Sequence, residues 1–266
     1  MNKLIILAKN PNTYFIKRLR QEWDGDLIVT HEFSATFDNV ILVRNPGIYR
    51  DDSDLAFLNK SYSKVINTVP MLWLTRSKWD QYNKLIIPGL SFPPTLDLRL
   101  ATEDEIKSFS EGLGARAYCL KPHYGQGGWG VRVCEKGDLF KTVQDLQDRE
   151  FILQPYVEHS EERRCVFFGS DYYFMKKIKG GYLGNHAQGA EAERLALDDE
   201  FLKRVQPFIR EHQLFYGAFD YLVTDKGEYH LLELNLVPGT EQLESVHGTK
   251  VMEKFSREIK NQWFTS

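Results

Sequence analysis

The chain of 266 residues is 42% hydrophobic and 27% charged, enough apolar material for a sizeable core spread over two or three small subdomains. Its formal net charge of −3 argues against a general nucleic-acid-binding surface, and no apolar run approaches the roughly 18 residues of a membrane span. Cys119, Cys134 and Cys165 are too scattered for a metal site and odd in number, so each is expected to pack as a small hydrophobe in a reducing, cytoplasmic compartment.

Lys3–Ala8 reads as a first strand, too short for the apolar region and cleavage site of a signal peptide. Thr13–Trp23 has the apolar spacing of an amphipathic helix, Leu27–Thr30 and Val40–Arg44 read as strands, and Leu55–Lys64 reads as a helix. Another helix is expected after Ser77, then a linker at Pro88-Gly89 and Pro93-Pro94. Thr102 suits the N-cap of a helix over Glu103–Leu113. From Ala117 strands dominate until the helix Leu197–His212, and a last helix spans Gly248–Gln262. Trp263-Phe264 beyond it is expected to dock on the core rather than form an exposed patch.

Two segments carry chemistry. GAFDYLVTDKGEYHLLELNLVPG reads as two apolar strands joined at Asp225-Lys226-Gly227. Alternate residues share a face of a strand, so Glu233 and Asn235 point the same way, and a hairpin loop of two or four residues would set Asp220 opposite Glu233. Three hard oxygen donors there suit Mg²⁺ held partly by protein and partly by substrate phosphates. A solvated polar face on a half-buried hairpin is the plainer alternative.

Upstream, Cys119-Leu120-Lys121-Pro122-His123-Tyr124-Gly125-Gln126-Gly127-Gly128-Trp129-Gly130-Val131 sets a lysine before a glycine-rich loop. Glycines let backbone N–H groups approach phosphate oxygens, and Lys121 adds a point charge. Gly125, Gly127 and Gly130 satisfy GxGxxG, yet the alternating Val131-Arg132-Val133-Cys134 that follows reads as a strand. A dinucleotide fingerprint would open a helix instead. The loop is thus expected at the tip of a hairpin flap, with a plain glycine turn as the alternative.

In their order these features resemble the ATP-grasp superfamily, most closely its ribosomal-protein S6 glutamate ligase and glutathione synthetase-like branch, from about Ser77 to Gly248. The resemblance implies an α+β ATP-grasp fold, with two α+β subdomains, 77–158 and 159–266, clamping ATP behind a short α/β substrate region, 1–76. It implies that Lys78 and Lys121 are the two ATP lysines and that Gly125, Gln126, Gly127 and Gly128 cover the phosphates. Ile152–Val157, with Gln154, Tyr156 and Val157, resembles the adenine-binding segment. Glu158, Glu161 and Glu162 offer a ribose partner, with the choice among them open, and Glu162 is counted with the ATP-binding residues. Arg164, Lys177 and Asn185 are implied at the transferred phosphoryl group, and Asp220, Glu233 and Asn235 as ligands of two Mg²⁺ ions.

Departures from the family pattern fall where the phosphoryl group and the acceptor acid would meet. Leu183 replaces an arginine, Lys177 stands where an arginine is usual, and Gln188-Gly189-Ala190 replaces a basic residue and two glycines. They bear on which acid is used more than on the use of ATP, since lysine lacks the bidentate fork of arginine.

The expected activity is a carboxylate–amine ligase acting through an acyl phosphate and releasing ADP and phosphate. No nucleophilic side chain is needed, in keeping with the lack of a Ser/His/Asp or Cys/His constellation. A kinase that stops after phosphorylating its acceptor, and a regulatory module without turnover, are the alternatives. The short N-terminal region points to a peptide or protein acceptor and leaves open a homo-oligomer; no nucleic-acid or membrane partner is expected. Several single residues have two readings. His123 is expected to be solvated or to touch phosphate, Trp129 to stack on a base or pack the flap, and His186 to have no chemical role or, as the lesser reading, to act on the amine. One lysine of Lys176-Lys177-Ile178-Lys179 is expected to face phosphate. Glu241 and Glu244 would bind an amine or favour a helix start.

Overall fold

A computed structural model describes residues 3–31, 39–44, 52–61, 64–125, 127–178 and 191–264. The N-terminal part runs β1 (Leu4–Leu7), α1 (Tyr14–Glu22), β2 (Leu27–Thr30), β3 (Val40–Val43), α2 (Asp52–Ser61) and β4 (Val65–Ile66). Its four strands make a parallel sheet in the order β2-β1-β3-β4. Parallel strands covered on both faces need continuous apolar runs, which LIIL and VILV supply. Leu4, Ile6, Val40 and Leu42 enter one core cluster, while Ile5, Leu7, Ile41 and Val43 enter another.

The middle part contains α3 (Val69–Thr75), α4 (Lys78–Lys84), β5 (Leu96–Asp97), α5 (Glu103–Leu113), β6 (Ala117–Pro122), β7 (Arg132–Glu135), α6 (Leu139–Gln144) and β8 (Phe151–Pro155). Its antiparallel sheet has the order β5-β8-β6-β7. Thr102 caps α5 as expected, in a reciprocal box with Glu105. Tyr118, Leu120 and Leu153 pack one sheet face against Ile106, Leu139 and Val143. Alternation then turns Cys119 and its cross-strand partner Gln154 to the opposite face.

The last part runs β9 (Glu161–Phe168), β10 (Asp171–Ile178), β11 (Glu191–Arg194), α7 (Asp199–Glu211), β12 (Tyr216–Val223), β13 (Tyr229–Asn235), α8 (Glu241–His247) and α9 (Lys250–Trp263). The antiparallel sheet is ordered β11-β10-β9-β12-β13. Cys165, Phe167, Phe174, Phe219 and Leu234 face one way and pack with Phe201, Val205 and Phe208 of α7. The other face is divided along its length. Val166, Phe168, Met175, Tyr216 and Ala218 pack with Phe255 and Ile259 of α9, whereas Glu162, Arg164, Lys177 and Asp220 carry charge at the far end.

Three sequence expectations change. The strand-rich stretch after Ala117 includes α6, a single short helix whose Leu139 and Val143 share a face, too brief for a periodic signal. Helices α3 and α8 likewise escape the pattern, at seven residues each. The loop after β12 holds five residues, 224–228, because Val223 pairs with Tyr229. Asp220 nevertheless faces Glu233, since the ladder skips Leu232 in a β-bulge. Trp263 and Phe264 do dock, half-buried, with Phe264 edge-on to Trp23 at 5.4 Å between centroids.

Glu244, given an amine-binding or helix-start reading above, lies in the first turn of α8, in keeping with the second reading. It is buried beneath α1, where Arg18 Nε donates to Oε2 at 3.0 Å and Nη2 donates to Oε1 at 3.1 Å. This pair ties the N-terminal sheet's first helix to α8.

Candidate active site

A cleft of about 1020 Å³, open to solvent, separates the middle sheet from the charged end of the last one. Its charged face is built by register. Arg164 on β9 lies opposite Asp220 on β12, Asp220 opposite Glu233 on β13, and Glu162 opposite Lys177 on β10. Directly opposed residues of antiparallel strands share a face, so all five converge. Arg164 grips Asp220 with two parallel bonds, Nε to Oδ1 and Nη2 to Oδ2, each 2.7 Å. Lys177 Nζ stands 3.2 Å from Asp220 Oδ1 and makes a short bond to Glu162.

Burial alone would raise the Asp220 pKa. Arg164 and Lys177 outweigh it and hold this carboxyl well below the ordinary carboxylate range. Burial likewise works against the Lys177 charge, yet Asp220 and Glu162 raise its pKa. Among Lys176, Lys177 and Ile178, the buried Lys177 faces the cleft, while Lys176 pairs with Glu161 at 3.1 Å. Glu162 also lines the cleft, whereas Glu161 is held by Arg163 at 2.6 Å.

The opposite wall comes from the middle sheet. Lys121 Nζ donates to Gln154 Oε1 at 2.8 Å, and Gln154 Nε2 donates to Thr95 Oγ1 at 2.7 Å. Burial pushes the Lys121 ammonium down, and the Lys78 charge adds to that. Lys78 opens α4 behind the Ser77 cap; its Nζ donates to the Gly125 carbonyl at 2.9 Å and lies 3.6 Å from Glu233 Oε2. Gly127 and Gly128 have φ of 64° and 73°, a left-handed backbone that only glycine adopts without strain. Tyr156 and Val157 line the cleft; the Tyr156 amide donates to the Ala117 carbonyl, and His159 Nδ1 bonds the Val157 carbonyl.

Asn235 lines the same cleft. Among the described residues no group of three or more His, Cys, Asp or Glu side chains is placed to hold a metal ion. The expected set Asp220, Glu233 and Asn235 has two carboxylates and one amide. Gln126, Asn185, Leu183, His186 and Gln188-Gly189-Ala190 lie outside the described residues.

Residues not anticipated also line the cleft, Pro93, Cys119, His159, Leu222 and Leu232 among them. Cys119 therefore borders a cavity rather than packing wholly in the core, since alternation on β6 puts it beside Lys121. Trp129, 73% exposed, lies on the flap at the cleft's edge. His123 is fully buried, neither solvated nor in the cleft, with Nε2 3.0 Å from Asp97 Oδ1. Burial and the Arg99 guanidinium push its pKa down, against Asp97. Its carbonyl accepts from the Lys78 amide at 3.0 Å, so it joins α4 to the base of the flap. A buried polar partner on β5, far away in sequence, left no local signal.

A family model described as the RimK-like ATP-grasp domain matches residues 76–259. No curated protein matches the sequence. Among solved structures, the D-cycloserine synthetase DcsG superposes with a TM-score of 0.72 at 15% identity, over 98% of this chain and 99% of that one. A RiPP-associated ATP-grasp ligase of Chryseobacterium gregarium, in complex with ADP and a leader and core peptide, gives 0.70 at 16%, over 98% and 97%. The ATP-grasp ligase PsnB, complexed with a phosphomimetic variant of its minimal precursor, Mg and ADP, gives 0.70 at 15%, over 98% and 98%. At these identities the likeness establishes the fold. Among the described residues no helix is long and apolar enough to cross a membrane.

Proposed function

This chain belongs to the RimK-like ATP-grasp family, and we propose that it is an ATP-dependent ligase joining a carboxylate to an amine through an acyl phosphate. The observation that carries this reading is the convergence of Lys78, Lys121, Arg164 and Lys177 on one cleft with Asp220, Glu233 and Asn235, under a glycine flap. The division at 1–76, 77–158 and 159–266 is part of the same proposal.

A carboxylate is a poor acyl donor because its oxygen leaves badly. One of its oxygens attacks the γ-phosphorus of ATP, the bond to the ADP oxygen breaks, and ADP departs. An amine then attacks the carbonyl, forms the C–N bond and expels inorganic phosphate, losing a proton. Phosphoryl transfer of this kind depends chiefly on positioning and charge stabilisation. Lys78 and Lys121 would hold phosphate oxygens from the flap side. Arg164 and Lys177 would do so from the sheet, where Asp220 and Glu162 already keep both charged and aimed.

The donor set fits magnesium, since two carboxylates and an amide oxygen are hard ligands on adjoining strands. Two Mg²⁺ ions bound by Asp220, Glu233 and Asn235 would supply charge neutralisation at the phosphate oxygens. Gly125, Gln126, Gly127 and Gly128 would cover the phosphates and exclude water from the acyl phosphate. Gln154, Tyr156 and Val157 would receive the base, and Glu162 the ribose. Asn185 is retained as a third group near the transferred phosphoryl.

A peptide or protein acceptor is favoured by the peptide complex of the Chryseobacterium relative. The protein is proposed to work in the cytoplasm. The deciding test is mass spectrometry of the protein incubated with Mg-ATP, amino acids and peptides. ADP together with a product equal to the two substrates minus water is the expected result. A phosphorylated product would replace this reading with a kinase, and ATP bound without turnover in any mixture would point to a regulatory module.

A further inference from the structure

The imidazole of His123 is wholly buried at the base of the glycine flap, and the nucleotide reading above gives it no role. Its main chain is a junction. The His123 amide donates to the Glu150 carbonyl at 2.8 Å, ahead of β8, and its own carbonyl accepts from the Lys78 amide at 3.0 Å, at the start of α4. Lys78 Nζ in turn donates to the Gly125 carbonyl, two residues beyond His123. The far end of the flap returns to the same point, since a β-carbon on Gly130 would lie 2.8 Å from Pro122 Cγ. Where His123 sits therefore fixes where the Lys78 ammonium and the first flap glycine stand.

What holds the imidazole is a carboxylate that is itself held. Arg99 Nε and Nη2 donate to Asp97 Oδ2 at 3.0 and 2.7 Å, and the Arg99 amide donates to Oδ1 at 3.0 Å. Burial would raise the Asp97 pKa, but the bonds from Arg99 outweigh it, so the group is ionised and can only accept. His123 Nε2, 3.0 Å from Oδ1, must then carry the ring's proton. The other ring nitrogen, Nδ1, is enclosed by protein and has no hydrogen-bond partner. A bare lone pair is tolerable there, whereas an N–H would lose its hydration with no acceptor to replace it.

The surroundings favour the neutral ring for a second reason. The charged groups that face it are Asp97 on β5, Arg99 just beyond it and Glu150 ahead of β8, with the Tyr124 ring 6.4 Å away between centroids. Asp97 is already matched by Arg99, which also lies 3.9 Å from Glu150. Burial and the Arg99 charge push the His123 pKa down, against Asp97 and Glu150. A histidine depressed in the folded chain holds fully above its unfolded value of about 6.5, and its hold is lost as pH falls through the folded value.

We infer that His123 is a positioning residue for the nucleotide site, keeping Lys78 and Gly125 in place through Asp97 while its ring is neutral and releasing them when it is charged. The inference rests on the nucleotide half of the ligase reading.

The test is calorimetric titration of the full chain with Mg-ADP from pH 7.5 to pH 5, with circular dichroism confirming the fold at each pH. At pH 7.5 His123→Leu, which cannot bond Asp97, should bind ADP about tenfold more weakly, the value of a hydrogen bond to a charged group. His123→Gln, whose amide N–H reaches Asp97 and does not titrate, should recover most of that binding. Towards pH 5 the wild type should lose about tenfold more affinity than His123→Gln. Protonation of ADP itself affects both proteins alike and cancels in the ratio. A histidine that only supports the fold would leave the two pH profiles parallel. Parallel profiles, or a His123→Leu variant that binds as the wild type does, would overturn the inference and leave the nucleotide reading standing. If His123→Leu fails to fold, the wild-type and His123→Gln profiles still decide. No ADP binding by the wild type at any pH would remove the nucleotide reading and the inference with it.

Discussion

Two buried arginine–carboxylate pairs in this molecule have nearly the same bond geometry and opposite surroundings. Arg164 grips Asp220 at the cleft, and Arg18 grips Glu244 where α1 meets α8. Asp220 is one acid shared by two cations, with the side chain of Lys177 beside it and open space above. Around Glu244 the sharing is reversed. Arg18 serves two acids, Glu244 and Glu22, and also donates to the Thr249 carbonyl. Hydrogen-bond geometry therefore does not mark a working residue. On the proposed function, what would mark it is surplus opposite charge together with a route to solvent, so that an incoming phosphate could take over a cation.

The sharpest way to test this contrast is Asp220→Asn, which should reduce ADP formation with the identified substrates by about a thousandfold, the scale of losing a key electrostatic group. A coupled ADP assay reads it, and near-normal turnover would remove the distinction between the pairs. Glu244→Gln should do the reverse, lowering unfolding free energy by about 3 kcal/mol in denaturant melts while kcat stays within twofold. Replacing both partners, Arg18→Met with Glu244→Leu, should recover most of that loss, because a buried pair exchanged for apolar side chains is often neutral.

Acid should separate the pairs next. The Asp220 pKa is depressed in the folded chain, so its contribution to stability is complete above the unfolded value of about 3.9 and is lost as pH falls below it. Wild type should therefore lose more unfolding free energy than Asp220→Asn between pH 5 and pH 3, by urea titration. Parallel losses would mean that other acids, such as the depressed Asp97, carry the acid limb.

The smallest effect is expected in the flap. Gly130→Ala places a β-carbon 2.8 Å from Pro122 Cγ at φ 77°, and should cost about 1–2 kcal/mol of local strain. The KM for ATP should rise several-fold while kcat changes less. An unchanged KM would detach the flap from nucleotide binding.

Much of this was legible in the sequence because it is written locally. The Thr102 cap, the glycine flap behind Lys121 and the alternation of Glu233 with Asn235 each lie within a few residues. The wall opposite them was legible only in part. Gln154 reaches Lys121 across a ladder, and His123 meets Asp97 from 26 residues away; neither contact has a periodic signature. Glu244 shows the same limit, since its partner Arg18 is 226 residues distant. Asp220 faced Glu233 as expected, though by a route the alternation could not foretell.

That route has a consequence for tolerance to deletion. Tyr221 pairs with Leu231 and Asp220 with Glu233, so Leu232 has no partner in the ladder. Removing it would leave each of those pairings intact and the sheet more regular than before. Its side chain instead adds to the cleft, next to Glu233. A shortened chain without Leu232 should thus fold as this one does and hold its nucleotide less well, making one residue dispensable to the architecture and not to the work done there.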